Sequence, residues 1–146
     1  MTSWDEFARG LAYQFALLPD GAILLIDTDE PDTQPGFAQF AQSEDMLHAE
    51  LGAYADLDRN AGLHNPGHQL ALRAGWHPPD IDWDNWWFQV PRSVQPVAGR
   101  ELATMVIVGL RDAFHVPSPD LLVYTAWNAR AGNRPLDLPL LGIDRQ

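Results

Sequence analysis

Acid, imidazole and indole crowd into the stretch Gly75 to Trp87, Gly-Trp-His-Pro-Pro-Asp-Ile-Asp-Trp-Asp-Asn-Trp-Trp, which holds four of the six tryptophans in a chain of 146 residues. His77 and Asp80 have the types needed for general-base work, so an Asp/His-dependent hydrolase centred on them is one reading. No nucleophile motif accompanies them. The four serines, Ser3, Ser43, Ser93 and Ser118, sit at expected helix starts or loops and outside any Gly-x-Ser-x-Gly elbow. Cysteine and lysine are absent, which removes thiolate and Schiff-base chemistry, and no glycine-rich phosphate loop is present.

Metal spacing fails as well. Asp80, Asp82 and Asp84 imitate the start of a calcium loop, but Asn85 and Pro91 stand where that loop requires glycine and a bidentate glutamate. Asp56, Asp58 and Asn60 fail in the same way, with Ala61 and Gly67 at those places. His64 and His68 have helical spacing, yet Pro66 and Gly67 lie between them and no zinc-protease glutamate is near. No metal and no cofactor are expected, and the aspartates read as solvated turns.

The composition sets wider bounds. Nine arginines against twenty acids give a formal charge of -11, which argues against nucleic acid as a partner, because that polyanion rewards positive surface. The N-terminus is acidic where a secretory signal is basic, and no apolar run approaches the roughly 18 residues of a membrane span. A cytoplasmic protein without membrane contact is the expectation. A chain of this length fits one domain, residues 1–146, and buries roughly 68–70% of its unfolded surface.

The elements that must position the tryptophans follow from periodicity. Trp4, Phe7, Ala8, Leu11, Phe15 and Leu18 form a helical stripe, and Ser3 with Glu6 makes a capping-box pattern. After Pro19-Asp20-Gly21, the apolar run 22–26 suggests a strand covered on both faces; a polar turn follows over 27–36. Phe37 to Gln42 and Met46 to Leu51, separated by Ser43-Glu44-Asp45, complete a three-stranded antiparallel meander. In the third strand Leu47, Ala49 and Leu51 point to the core, and Met46, His48 and Glu50 point to solvent.

Pro66 to Ala74 reads as a short helix with Asn65 as cap and Gly75 as stop. Two prolines then force a turn, Trp86 to Val90 alternates as an end strand closed by Pro91, and a long helix runs from about Pro96 to Phe114. Its buried face is Ala98, Leu102, Met105, Val106, Gly109, Leu110 and Ala113. Leu121 to Trp127 is a final strand, and 128–146 an extended tail whose leucines lie along an edge strand of this subunit or a neighbour's. The class is α+β, helices framing a mainly antiparallel sheet.

Tryptophan serves as a core anchor or as a binding platform. Trp4 and Trp76 look structural. Trp86 and Trp87 are adjacent in a strand, so their rings point to opposite faces and at most one enters a one-sided core.

Taken in order, Trp4, Phe7 and Leu11; Gly21 with Leu25; Phe37 to Phe40; Leu47 to Leu51; Gly75-Trp76-His77-Pro78-Pro79; Asn85-Trp86; and Leu110-Arg111-Asp112-Ala113-Phe114 with Val116, Pro119 and Leu121 form a pattern reaching to about Ala126. It resembles the type III secretion chaperone and YbjN-like peptide-binding chaperone family, TY-Chap, in its actinobacterial form. The resemblance implies a type III secretion chaperone-like fold, a homodimer, a role in holding extended client peptides, and no catalysis. The chain departs from the secretion chaperones in the strand after its long helix and in its proline-rich tail.

The leading expectation is thus a non-enzymatic module that holds a client protein or peptide on a sheet edge or an aromatic surface, with Phe37, Phe40, Trp86, Trp87 and Phe88 as contacts. An acidic surface would favour basic clients. The alternative is an acidic immunity-like protein that neutralises a basic toxin.

Overall fold

The computed structural model describes residues 2–28, 36–52 and 66–146. Most of the expected turn over 27–36 and the whole stretch 53–65, with Asp56, Asp58, Asn60, His64 and the expected cap Asn65, lie outside the described residues.

Helix α1 (Trp4–Leu17) starts as its capping pattern requires. The Ser3 hydroxyl accepts the Glu6 amide N–H at 3.1 Å and donates to the Glu6 carboxylate. Its stripe of Phe7, Leu11 and Phe15 is fully buried. Strands β1 (Ala22–Thr28), β2 (Phe37–Gln42) and β3 (Met46–Gly52) form the meander, and the β2–β3 turn is closed by Ser43, whose hydroxyl accepts the Met46 amide N–H at 3.1 Å. Helix α2 (Pro66–Ala74), strand β4 (Trp86–Pro91), helix α3 (Pro96–Ile107) and strand β5 (Leu122–Asn128) follow, with two short strands in the tail, β6 (Arg134–Pro135) and β7 (Asp144–Arg145).

The sheet order is β4-β3-β2-β1-β5-β6, every neighbour antiparallel, and β7 pairs with β5 in parallel. The register places Leu24, Ile26, Ala38, Phe40, Leu47, Ala49, Leu51, Trp86, Tyr124 and Ala126 on one face, all buried. The helices cover this face: the Phe15 ring lies 5.0 Å from that of Phe40, and His68 of α2 meets Trp86 edge-on at 4.8 Å.

Three expectations change. The β1 run is covered by helices on one face only among the described residues; Ile23 and Leu25, on the other, are half-buried. The long helix is not uniform, because Val108–Ala113 is a π-helical turn. There a Cβ on Gly109 would overlap the Leu51 side chain, so the sheet presses directly on the helix backbone. His115, at φ 60°, then turns the chain out of the helix. The strand after it begins at Leu122 rather than Leu121, which closes a 3₁₀ turn.

The tail packs along the outer edge of β5. Leu136 N–H donates to Ala126 C=O at 2.9 Å, and Gln146 N–H to Tyr124 C=O at 2.8 Å. Leu138 and Leu141 enter the core, and the Leu140 N–H donates to the Gln14 side chain of α1 at 3.2 Å. No described helix is long and apolar enough to cross a membrane.

Candidate functional site

The stretch Gly75–Trp87 is built as a corner. Helix α2 ends in a Schellman motif: Gly75 N–H bonds to Leu72 C=O at 3.2 Å and Trp76 N–H to Ala71 C=O at 3.1 Å. Gly75 has φ 115°, which L side chains rarely adopt. Trp76 then drops into the core with 1% of its surface exposed, and its indole N–H donates to Met105 C=O of α3 at 2.9 Å. One buried ring therefore fixes the distance between the α2 corner and α3.

The chain emerges at His77 and pairs with Trp87 at the sheet's end. Each residue's N–H donates to the other's C=O at 3.0 Å. Asp80 closes the following turn, its carboxylate accepting the N–H groups of Asp82 and Trp83 at 2.8 and 3.1 Å. That engagement gives the Asp80 carboxylate a structural role, and no grouping of three metal-ligating side chains is found among the described residues. No hydrogen bond joins His77 to Asp80, and no serine or threonine stands between them.

The five residues expected to contact a client separate into two sets. Phe40 and Trp86 are core residues, 1% and 3% exposed, so their rings offer a peptide no surface. Phe37, Trp87 and Phe88 are half-buried. The Phe37 ring covers Gly52 across the β2–β3 pair, where a Cβ would overlap it. Trp87 faces away from the helices and Phe88 toward them, as alternation dictates.

Two recesses flank α3. One, of about 500 Å³, lies between α3 and the β4 end of the sheet; Ala74, Gly75, Phe88, Val97, Met105 and Val108 give it an apolar lining, and Arg100, Glu101 and Thr104 stand on its α3 side. The other, of about 400 Å³, lies between α1 and α3 and carries Asp5, Arg9, Arg100 and the Tyr13 phenol around Ala8, Ala12 and Ala16. Arg100 and Thr104 line both and form the ridge between them. Val97, Glu101, Thr104 and Val108 lie on one line along the helix, and because only the two valines at its ends are apolar, periodicity does not mark this face.

Neither sheet edge is free along its length. His77 takes the outward backbone groups of Trp87 on β4, and Pro91 has no N–H to offer, which leaves Gln89 as the open position among the described residues. On β5 the tail occupies both ends of the outer edge. The ionisable groups with displaced titration lie away from the groove. Hydrogen bonding from Arg111 holds the Asp112 carboxyl below its usual range and Arg111 correspondingly higher, while burial raises the Tyr124 phenol.

A mainly antiparallel sheet covered by three helices on one face, with an apolar recess beside its end strand, is an α+β architecture consistent with a chaperone-like fold. The chain belongs to the T3SS (YopN, CesT) and YbjN peptide-binding chaperone 3 family, TY-Chap3, whose model matches residues 1–128. No curated protein and no solved structure matches it. The match ends at Asn128, the last residue of β5, so the tail lies beyond it.

Proposed function

We propose that the protein is a non-enzymatic chaperone-like module that holds an extended client segment in the groove between β4 and α3, with Phe88 on the sheet side and Val97, Met105 and Val108 on the helix side. One observation carries this reading: the chain's own segments occupy part of each sheet edge, whereas among the described residues the apolar groove beside β4 is open. Strand addition needs a row of unpaired backbone groups, and Gln89 alone does not provide one. The groove volume falls within the roughly 300–1,000 Å³ typical of ligand sites.

A labelled, uncharged peptide of alternating valine and serine tests the reading by fluorescence anisotropy. Val97 is exposed at the first turn of α3, where an aspartate favours the helix dipole, so Val97→Asp places a charge at the groove without unfolding the helix. The expected result is saturable binding that the substitution abolishes and that raised salt leaves intact. Binding unaffected by Val97→Asp would exclude the groove. Binding confined to low salt and to basic proteins would favour charge-driven neutralisation instead.

A further inference from the structure

The helix-free face at the β4 end carries a second surface that the groove does not use. Trp83 stacks on Trp87 with ring centroids 5.1 Å apart and planes 13° from parallel. The His77 imidazole lies 4.4 Å from Trp87, and His48 of β3 lies 6.2 Å from Trp83. Trp83 and Trp87 remain half-buried, and beside them Ile81, at the tip of the turn, is fully exposed.

The charged residues that register and sequence place next to this column are acidic. Glu50 is directly opposite Trp87 on β3, and Asp80, Asp82 and Asp84 flank Trp83, while none of the nine arginines falls between Gly75 and Pro91. An indole face is the negative side of its quadrupole, so stacked indoles ringed by carboxylates attract cations twice over, through the ring and through the charge.

We propose that the Trp83–Trp87 stack is a docking surface for an arginine or lysine side chain of an extended client peptide, and that it selects basic clients. Arginine is the better fit, because a planar guanidinium stacks on an indole while donating to carboxylates at its rim. The proposal rests on the groove reading only in that the same client segment supplies the apolar anchor. His77, in contact with both Trp87 and Phe88, stands where such a segment would cross from the groove to the stack.

The test uses the full chain and two labelled peptides that share the valine–serine sequence and differ at one terminal residue, arginine or its neutral isostere citrulline. The arginine peptide is expected to bind about 5- to 30-fold more tightly at low salt. Trp83→Leu, and separately the double substitution Asp80→Asn with Asp82→Asn, should each shrink that preference while leaving the citrulline peptide's affinity unchanged. Asparagine at position 80 keeps the side-chain oxygen that closes the turn, so this variant retains the fold even if the loss of Trp83 disturbs it. Equal affinity of the two peptides for the wild type would overturn the inference and leave the groove reading intact. A preference undiminished in the aspartate double variant would overturn it too. Failure of both peptides to bind would overturn both readings together.

Discussion

Gly10→Ala sets helix propensity against tertiary packing, and the two effects can be sized. Gly10 lies inside α1, where alanine is favoured over glycine by about 1 kcal/mol. A Cβ at this position would overlap the Leu140 carbonyl, a backbone group that cannot swing aside as a side chain would. Accommodation by strain costs about 1–3 kcal/mol. The other route lifts the tail and exposes Leu138 and Leu141, now 6% and 0% exposed, at about 1.5–3 kcal/mol each before the tail regains its entropy. The net expectation is a loss of up to about 2 kcal/mol, read from urea unfolding. Hydrogen exchange should quicken at Leu136 and Gln146, whose N–H groups bind β5, and the bared edge should promote self-association. A variant that is about 1 kcal/mol more stable, with those amides still protected, would refute the packing argument.

Trp76→Phe removes the bond to Met105 C=O and part of a buried ring; a loss of about 1–3 kcal/mol in urea unfolding is expected, together with weaker peptide binding as the groove's floor shifts. Tyr124→Phe deprives the Leu138 N–H of its acceptor and the Asp137 carboxylate of its donor, a cost of about 1–3 kcal/mol by the same measurement. Because burial raises the Tyr124 phenol, its contribution is complete below the ordinary value near pH 10 and is lost as pH rises through the folded one. The phenylalanine variant should lack this alkaline limb. Asp112, held low chiefly by the Arg111 hydrogen bonds of 2.8 and 3.0 Å, contributes above the ordinary carboxylate range and loses that contribution as pH falls through its folded value. Both partners are exposed, so Asp112→Asn should cost less than about 1 kcal/mol at pH 7 and flatten the acid limb of a stability-versus-pH curve.

What was legible in the sequence was local. The α1 stripe, the alternation through Leu47, Ala49 and Leu51, and the Gly75 stop depend on neighbours a few residues away, and each element lies close to where its pattern places it. The pairing of β1 with β5 joins residues such as Ile23 and Trp127, far apart in the chain, and no local pattern encodes it. The π-helical turn at Gly109 answers to Leu51 of the sheet, and the tail's course answers to the bare backbone at Gly10. Periodicity explains why Phe40 and Trp86 belong to the core and Trp87 to the other face, but it gives no sign that Trp83, in an acidic turn, folds back onto Trp87. Phe88 points inward with Trp86 and Val90, yet sits on an end strand beside a groove, a position that only the assembled sheet reveals.

The most direct test of the account is the site of peptide contact. Backbone amide shifts of isotopically labelled protein, followed as the uncharged valine–serine peptide is added, should move most at Phe88, Val97, Met105 and Val108 and stay still along β5. The largest changes at 122–128, with release of the tail amides of Leu136 and Gln146, would instead show a client adding as a strand and would contradict the groove.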